Sequence, residues 1–252
     1  RARRAREPAV AREPPARLVS VARSGVSDLR AVLFDVDFTL AKPGPELSPQ
    51  GYARLGARHG IALDPALYED ARVSATRSLK RHPELHHDDE IWITFMAEIV
   101  RGMGGRRDIA YACAQDLARA WLDSANFELY ADVRPVLAAL RREGFLIGLL
   151  SNTGRDMAEF VAHHCLNVDA TLSSGEHGRV KPDPTIFLAL LDRLGVEPAA
   201  AVMVGDTIED DVEGALNIGL RAFLLDRENS FPEFAPRLLN LSALPDALGI
   251  AP

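Results

Sequence analysis

The chain has 252 residues, 47% of them hydrophobic and 26% charged, with a formal net charge of -7. That length and balance fit an ordinary globular protein with a sizeable core, as one large domain or as a core with a smaller lid. The acidic balance argues against nucleic acid as the main partner, because a phosphate backbone selects a basic face, yet a local basic site can still take a small anion.

Residues 1 to 28 are rich in Arg, Ala, Pro and Glu without apolar periodicity, which predicts a flexible tail. Arg3-Arg4 lacks the apolar block of an export signal, and Glu7 and Glu13 dilute the charge needed for a nucleic-acid or membrane-surface arm. Ala31-Val32-Leu33-Phe34 is too short for an ordinary helix and suits a strand buried on both faces. Lys42-Pro43-Gly44-Pro45 then reads as a loop that no regular element crosses.

From 47 to 128 the pattern is helical. Ser48-Pro49 and Asp64-Pro65 each look like an N-cap followed by proline at the first helical position. Asp88 or Asp89 opens a third helix through Ile91, Phe95 and Ile99, and Asp108 a fourth through Ala112, Leu117 and Trp121. No strand pattern interrupts the block, so it reads as an all-helical module inserted into a domain made of 29–46 and 129–252.

From Asp132 helices and strands alternate. Helices are expected over 133–142, 154–164, 184–194 and 210–218, and strands over 145–150, 170–172, 201–204 and 221–225. This alternation predicts an α/β fold with a parallel sheet. No apolar run is long enough to cross a bilayer, so no membrane is expected as a partner. Two cysteines, Cys113 and Cys165, are too few for a disulfide framework, which points to a reducing cytoplasm.

Four strand ends carry residues with chemistry. Asp35 and Asp37 follow the first strand. A carboxylate can attack phosphorus and a neighbouring carboxylic acid can protonate the leaving group, although two aspartates can also form a solvated turn. Ser151, ahead of Asn152-Thr153-Gly154, sits where a hydroxyl and backbone N–H groups can hold an anion at a helix start, or can cap that helix. Lys181, a rare lysine beside Lys42 and Lys80, stands in the stiff loop Val180-Lys181-Pro182-Asp183-Pro184, from which an ammonium can reach a phosphate oxygen. Gly205-Asp206 ends a buried strand ahead of Glu209, Asp210 and Asp211; carboxylates from two strand ends can hold one Mg²⁺, while an acidic first helical turn is the plainer alternative. Together these supply a nucleophile, an acid, a metal site, a hydroxyl and a cation, the inventory for moving a phosphoryl group.

The order Asp35-Val36-Asp37-Phe38-Thr39, Ser151-Asn152, Lys181-Pro182, then Gly205-Asp206 with Asp211 resembles the haloacid dehalogenase superfamily over residues 30 to 226. The resemblance implies a Rossmann-like parallel sheet with the Asp35 strand central, and the helical insert as a cap placed after the nucleophile loop. It implies Asp35 as nucleophile and Mg²⁺ ligand, and Asp37 as general acid and base with its carbonyl a further ligand. Thr39 would orient the loop, and with Ser151, Asn152 and Lys181 serve the substrate phosphate. Asp206 would bind Mg²⁺ with Asp211, or Asp210 in its place. Phe38 departs from the glycine commonly found there.

The function so implied is a Mg²⁺-dependent phosphatase acting on a small phosphorylated metabolite through an aspartyl-phosphate, as a monomer or homodimer. A phosphomutase shares the core residues, and a non-catalytic phosphate-binding relative is the reading from another class. Asp37 argues against dehalogenation. The insert is expected to close over the site on hinges at 42–46 and 129–134, with Arg72, Arg77 and Trp92 as candidate substrate contacts. His82, His86 and His87 with Asp88 and Asp89 form either a second metal site or a polar helix entrance.

Overall fold

The computed structural model of the protein describes residues 28–79 and 82–250; the expected tail lies outside them except for Asp28. In chain order, β1 (Ala31–Phe34) is followed by β2 (Ala41–Pro43), then helices α1 (Pro49–Arg58), α2 (Tyr68–Ser78), α3 (Asp89–Gly102) and α4 (Arg107–Leu122). Next come β3 (Phe127–Leu129), α5 (Val133–Arg142), β4 (Leu146–Ser151), α6 (Met157–His163), β5 (Ala170–Ser173), α7 (Ser174–His177) and α8 (Pro184–Leu194). The chain continues through β6 (Ala201–Gly205), a π-helical turn (Ile208–Glu213), α9 (Gly214–Asn217), β7 (Arg221–Leu225), β8 (Arg237–Leu238) and α10 (Leu244–Ala247).

The main sheet is parallel throughout, in the order β5-β4-β1-β6-β7-β8. β1 is central and wholly buried because its alternate side chains feed two cores. Val32 and Phe34 enter the cluster under α5, with Val133, Val136, Leu137 and Leu140. Ala31 and Leu33 enter the opposite one under α8, with Ile186, Phe187, Leu190 and Leu191. The apolar stripes of α5 and α8 recur every three or four residues, the spacing that puts one helix face on a sheet. Both faces are thereby covered, the usual condition for a parallel sheet.

The four helices α1 to α4 form the inserted all-helical domain, with a core of their own that includes Tyr52, Met96, Ile99, Val100, Cys113 and Leu117. Ser48 caps α1 by accepting from the Gly51 N–H at 3.1 Å, with Pro49 at the first helical position. Asp64 caps a short 3₁₀ turn, Pro65–Leu67, ahead of α2. Asp88 rather than Asp89 caps α3. Asp108 lies inside the first turn of α4, whose N-cap is Arg106.

Three expectations are corrected. The proline-rich segment after Leu40 does carry a strand: β2 pairs antiparallel with β3, Lys42 opposite Glu128, at the point where the chain leaves and re-enters the sheet domain. Pro43 fits because the ladder bond beyond it comes from the Gly44 N–H to the Asn126 carbonyl, 2.7 Å. The helix expected to start at Gly154 begins at Met157, capped by Asp156, so Ser151 does not stand at a helix start. The helix expected over 210–218 is a wide π turn followed by one α turn. Among the described residues, no helix is long and apolar enough to cross a membrane.

Candidate active site

β1, β4 and β6 end side by side, so Asp35, Ser151 and Asp206 meet at one sheet edge, where open α/β sheets place ligand sites. Lys181, brought in by the loop before α8, is fully buried there. Its ammonium donates to Asp35 Oδ1 at 2.6 Å, Asp211 Oδ1 at 2.7 Å and the Leu150 carbonyl at 3.0 Å. Asp211 also accepts from the Thr207 N–H at 3.0 Å. Gly205 has no room for a side chain, because a Cβ there would sit 2.3 Å from the Asp211 carboxyl carbon.

Asp35, Asp206 and Asp211 each offer an oxygen within 4.8 Å of the others. Burial pushes the Asp35 carboxyl up; Lys181 opposes this, and Asp211 and Asp206 push it further up. Asp206 is pushed up to about 7 by burial and by Asp211, against the pull of Lys181. Lys181 is held in its charged form by Asp211 and Asp35 in spite of burial. One cation thus faces three carboxylates. The donor set is all hard oxygen and its excess charge matches a dication, so the residues fit Mg²⁺.

Asn152 lines the cavity above this cluster, but its amide is engaged by the Lys181 backbone, with N–H to Oδ1 at 2.7 Å and Nδ2 to the carbonyl at 3.1 Å. It therefore braces the lysine loop. Asp210 lies against Asn152, at 3.4 Å, while Asp211 joins the carboxylate group. Thr39 is fully buried and does not line the cavity; its hydroxyl has no partner, and its carbonyl accepts from Arg227 at 2.9 Å.

Asp37 is gripped by a residue that the sequence did not single out. Arg155, with a side chain 0% exposed, donates to both Asp37 oxygens at 3.0 and 3.2 Å. The same guanidinium lies 3.7 Å from the Phe127 ring centroid and donates to the Trp121 carbonyl. Arg155 thereby ties Asp37 to the end of α4 and to β3.

A cavity of about 510 Å³ opens above the carboxylates, between the sheet domain and the helical one. Arg72 and Trp92 line it, and Arg77 does not. The histidine-rich loop closes one side by docking on the sheet domain: His87 Nδ1 meets Ser174 Oγ at 2.8 Å, and the Val180 N–H reaches the Leu85 carbonyl at 2.8 Å. Among the described residues, Asp35, Asp206 and Asp211 are the group with metal-ligand spacing, and the contacts of the loop are those of a docking element.

A family model described as haloacid dehalogenase-like hydrolase matches residues 29–219. N-acylneuraminate-9-phosphatase of Rattus norvegicus is 33% identical over 213 residues, which is 79% of this chain and 82% of that protein. Phosphoserine phosphatase of Thermus thermophilus is 37% identical over 134 residues, 50% of this chain and 53% of that one. The crystal structure of a HAD phosphatase from Thermococcus onnurineus matches with a TM-score of 0.61 and 25% identity, over 88% of this chain and 98% of that one.

Proposed function

The chain belongs to the haloacid dehalogenase-like hydrolases and is a phosphoric monoester hydrolase; we propose that it hydrolyses a small phosphorylated metabolite with Mg²⁺, through a phosphorylated Asp35. The reading rests above all on the meeting of Asp35, Lys181, Asp206 and Asp211 at the floor of one cavity. Asp35 and Asp206, with Asp211 and the Asp37 carbonyl, would hold the ion. When bound, Mg²⁺ supplies neutralisation of the charge on the phosphoryl oxygens.

The residues then divide the work. An Asp35 oxygen attacks phosphorus as the ester P–O bond breaks, and Asp37 gives the departing alcohol its proton. Asp37 next takes a proton from the water that attacks the phosphorus of the aspartyl-phosphate, which releases inorganic phosphate and restores Asp35. Lys181 and Ser151 neutralise and orient the phosphoryl oxygens. Residues 47–128 act as the cap, pivoting at the β2–β3 pair and covering the body of the substrate. The relatives' names join different bodies to phosphate, N-acylneuraminate in one and serine in another, which suits a shared floor under a variable cap. Both cysteines are free, which fits the cytoplasm as compartment.

The test is phosphate release from p-nitrophenyl phosphate. Mg²⁺ should be required, a chelator should stop turnover, and Asp35→Asn should abolish it with the fold retained. Full activity in chelator would remove the metal from the reading.

A further inference from the structure

The cavity has two unlike halves. Its floor holds Asp35, Asp206, Lys181 and Ser151. The walls that rise from it toward the helical domain present Tyr68, Ile91, Trp92, Phe95, Trp121 and Leu122. Several polar side chains that reach these walls are engaged with protein partners: Arg72 with Glu69, Arg119 with Asp116, His86 with Glu84, and Asp89 with His87.

Phe38 stands where floor and walls meet. Its backbone is left-handed, with φ at 64°, a conformation that strains a bulky residue and that glycine adopts freely. Phe38 is nevertheless 46% exposed, with its ring 6.4 Å from the Trp121 ring, and Leu122, which lines the same cavity, is 42% exposed. Beyond its tilted contact with Trp121, this exposed aromatic residue at the mouth of the phosphate site gains little from the fold to offset its backbone strain. A body placed in the cavity would cover what the fold leaves open.

We propose that the cavity selects the phosphate monoester of an alcohol with an aliphatic or aromatic body, and disfavours polyol bodies. This rests on the phosphatase reading above. With the phosphoryl group fixed on the floor, the body has to lie along Phe38, Trp92, Trp121 and Leu122. A ring of hydroxyls laid there loses hydrogen bonds to water that Phe38, Leu122 and Trp121, whose Nε1 already donates to Tyr52, do not replace, with Gln115 the wall amide left to meet them. A methylene laid there leaves water for an apolar surface. The volume is within the ordinary range of small-molecule sites.

The test compares kcat/KM, at saturating Mg²⁺, along the n-alkyl phosphates from methyl to hexyl. Their leaving groups are alike, so the series reports the body alone. The expected rise is about fourfold per methylene until the walls are covered. Cyclohexylmethyl phosphate and glucose 6-phosphate, alike in ring size and primary ester, should differ by at least about a hundredfold in favour of the former. Phe38→Gly removes both ring and strain, so it should keep or raise the melting temperature while lowering the hexyl-to-methyl ratio. Leu122→Gln, at an exposed position, should lower that ratio as well. A flat alkyl series or a preference for glucose 6-phosphate, with p-nitrophenyl phosphate still hydrolysed, overturns this inference and leaves the phosphatase reading standing. No hydrolysis of any ester, p-nitrophenyl phosphate included, overturns both.

Discussion

Replacing Arg155 with methionine keeps much of the side-chain volume and removes the guanidinium that holds Asp37. The pair is buried on one side only, with Arg155 0% and Asp37 22% exposed. Removing one partner of a buried pair costs about 3–5 kcal/mol, and the water reaching Asp37 places this case at the lower end. Loss of the cation from the Phe127 ring adds about 1 kcal/mol. A total of about 3–4 kcal/mol lowers the melting temperature by roughly 6–16 °C for a chain of this size. Turnover should suffer separately, because Asp37 loses the two bonds that fix its orientation, and a misplaced catalytic group costs about a hundredfold. That loss should appear in kcat on alkyl phosphates and be smaller on p-nitrophenyl phosphate, whose leaving group needs less protonation. Arg155→Lys keeps the charge without the fork, so it should recover part of the melting temperature and little of the kcat. Melting curves and steady-state kinetics on both substrates decide the matter. A variant that melts early yet turns over alkyl phosphates at the wild-type kcat would show that Arg155 supports the fold and does not position Asp37.

Three further outcomes are expected. Asp37→Asn should lose about a hundredfold to ten-thousandfold in rate on alkyl phosphates and much less on p-nitrophenyl phosphate, and equal losses on both would take the acid role from Asp37. Gly205→Ala puts a methyl group 2.3 Å from the Asp211 carboxyl carbon, so Asp211 has to move and the Mg²⁺ concentration for half-maximal activity should rise about tenfold or more; an unchanged requirement would separate Asp211 from the ion. Burial pushes Asp132 up, but the Arg227 guanidinium and the Leu241 N–H outweigh it and hold the carboxyl below its ordinary value. A folded-state value lowered in this way contributes stability that is full above the unfolded value of about 3.9 and is lost as pH falls through the lower folded one. Wild type should therefore lose stability more steeply than Asp132→Asn below about pH 4, and parallel curves from chemical denaturation would refute the coupling.

The strands that carry the site are legible because each is a short apolar run ending in a polar residue, and a parallel sheet buried on both faces leaves that pattern in one dimension. The helical insert is legible for a similar reason, since Ser48-Pro49 and Asp64-Pro65 are local signals with a local cause. What escapes is set by distant partners. β2 forms by pairing with β3, Lys42 opposite Glu128 far along the chain, and nothing around Pro43 announces it. Asp156 caps α6, which starts at Met157, three residues later than the Gly154 start suggests, and the extra loop carries Arg155 inward. An arginine in Thr153-Gly154-Arg155 reads as solvated. Its partner Asp37 is 118 residues away, and Phe127, under its guanidinium, belongs to β3, whose own partner strand is also distant in the chain. The choice between Asp210 and Asp211 turns on the wide π turn, which buries both and sends Asp211 to Lys181.

The role of Asp35 as nucleophile is tested most directly by trapping the phosphorylated enzyme. A single turnover with radiolabelled alkyl phosphate and Mg²⁺, quenched in acid and digested, should leave label on the peptide that contains Asp35, removable by hydroxylamine as an acyl-phosphate is. Asp35→Asn should carry none. Label on a different residue, or wild-type turnover by Asp35→Asn, would contradict the mechanism.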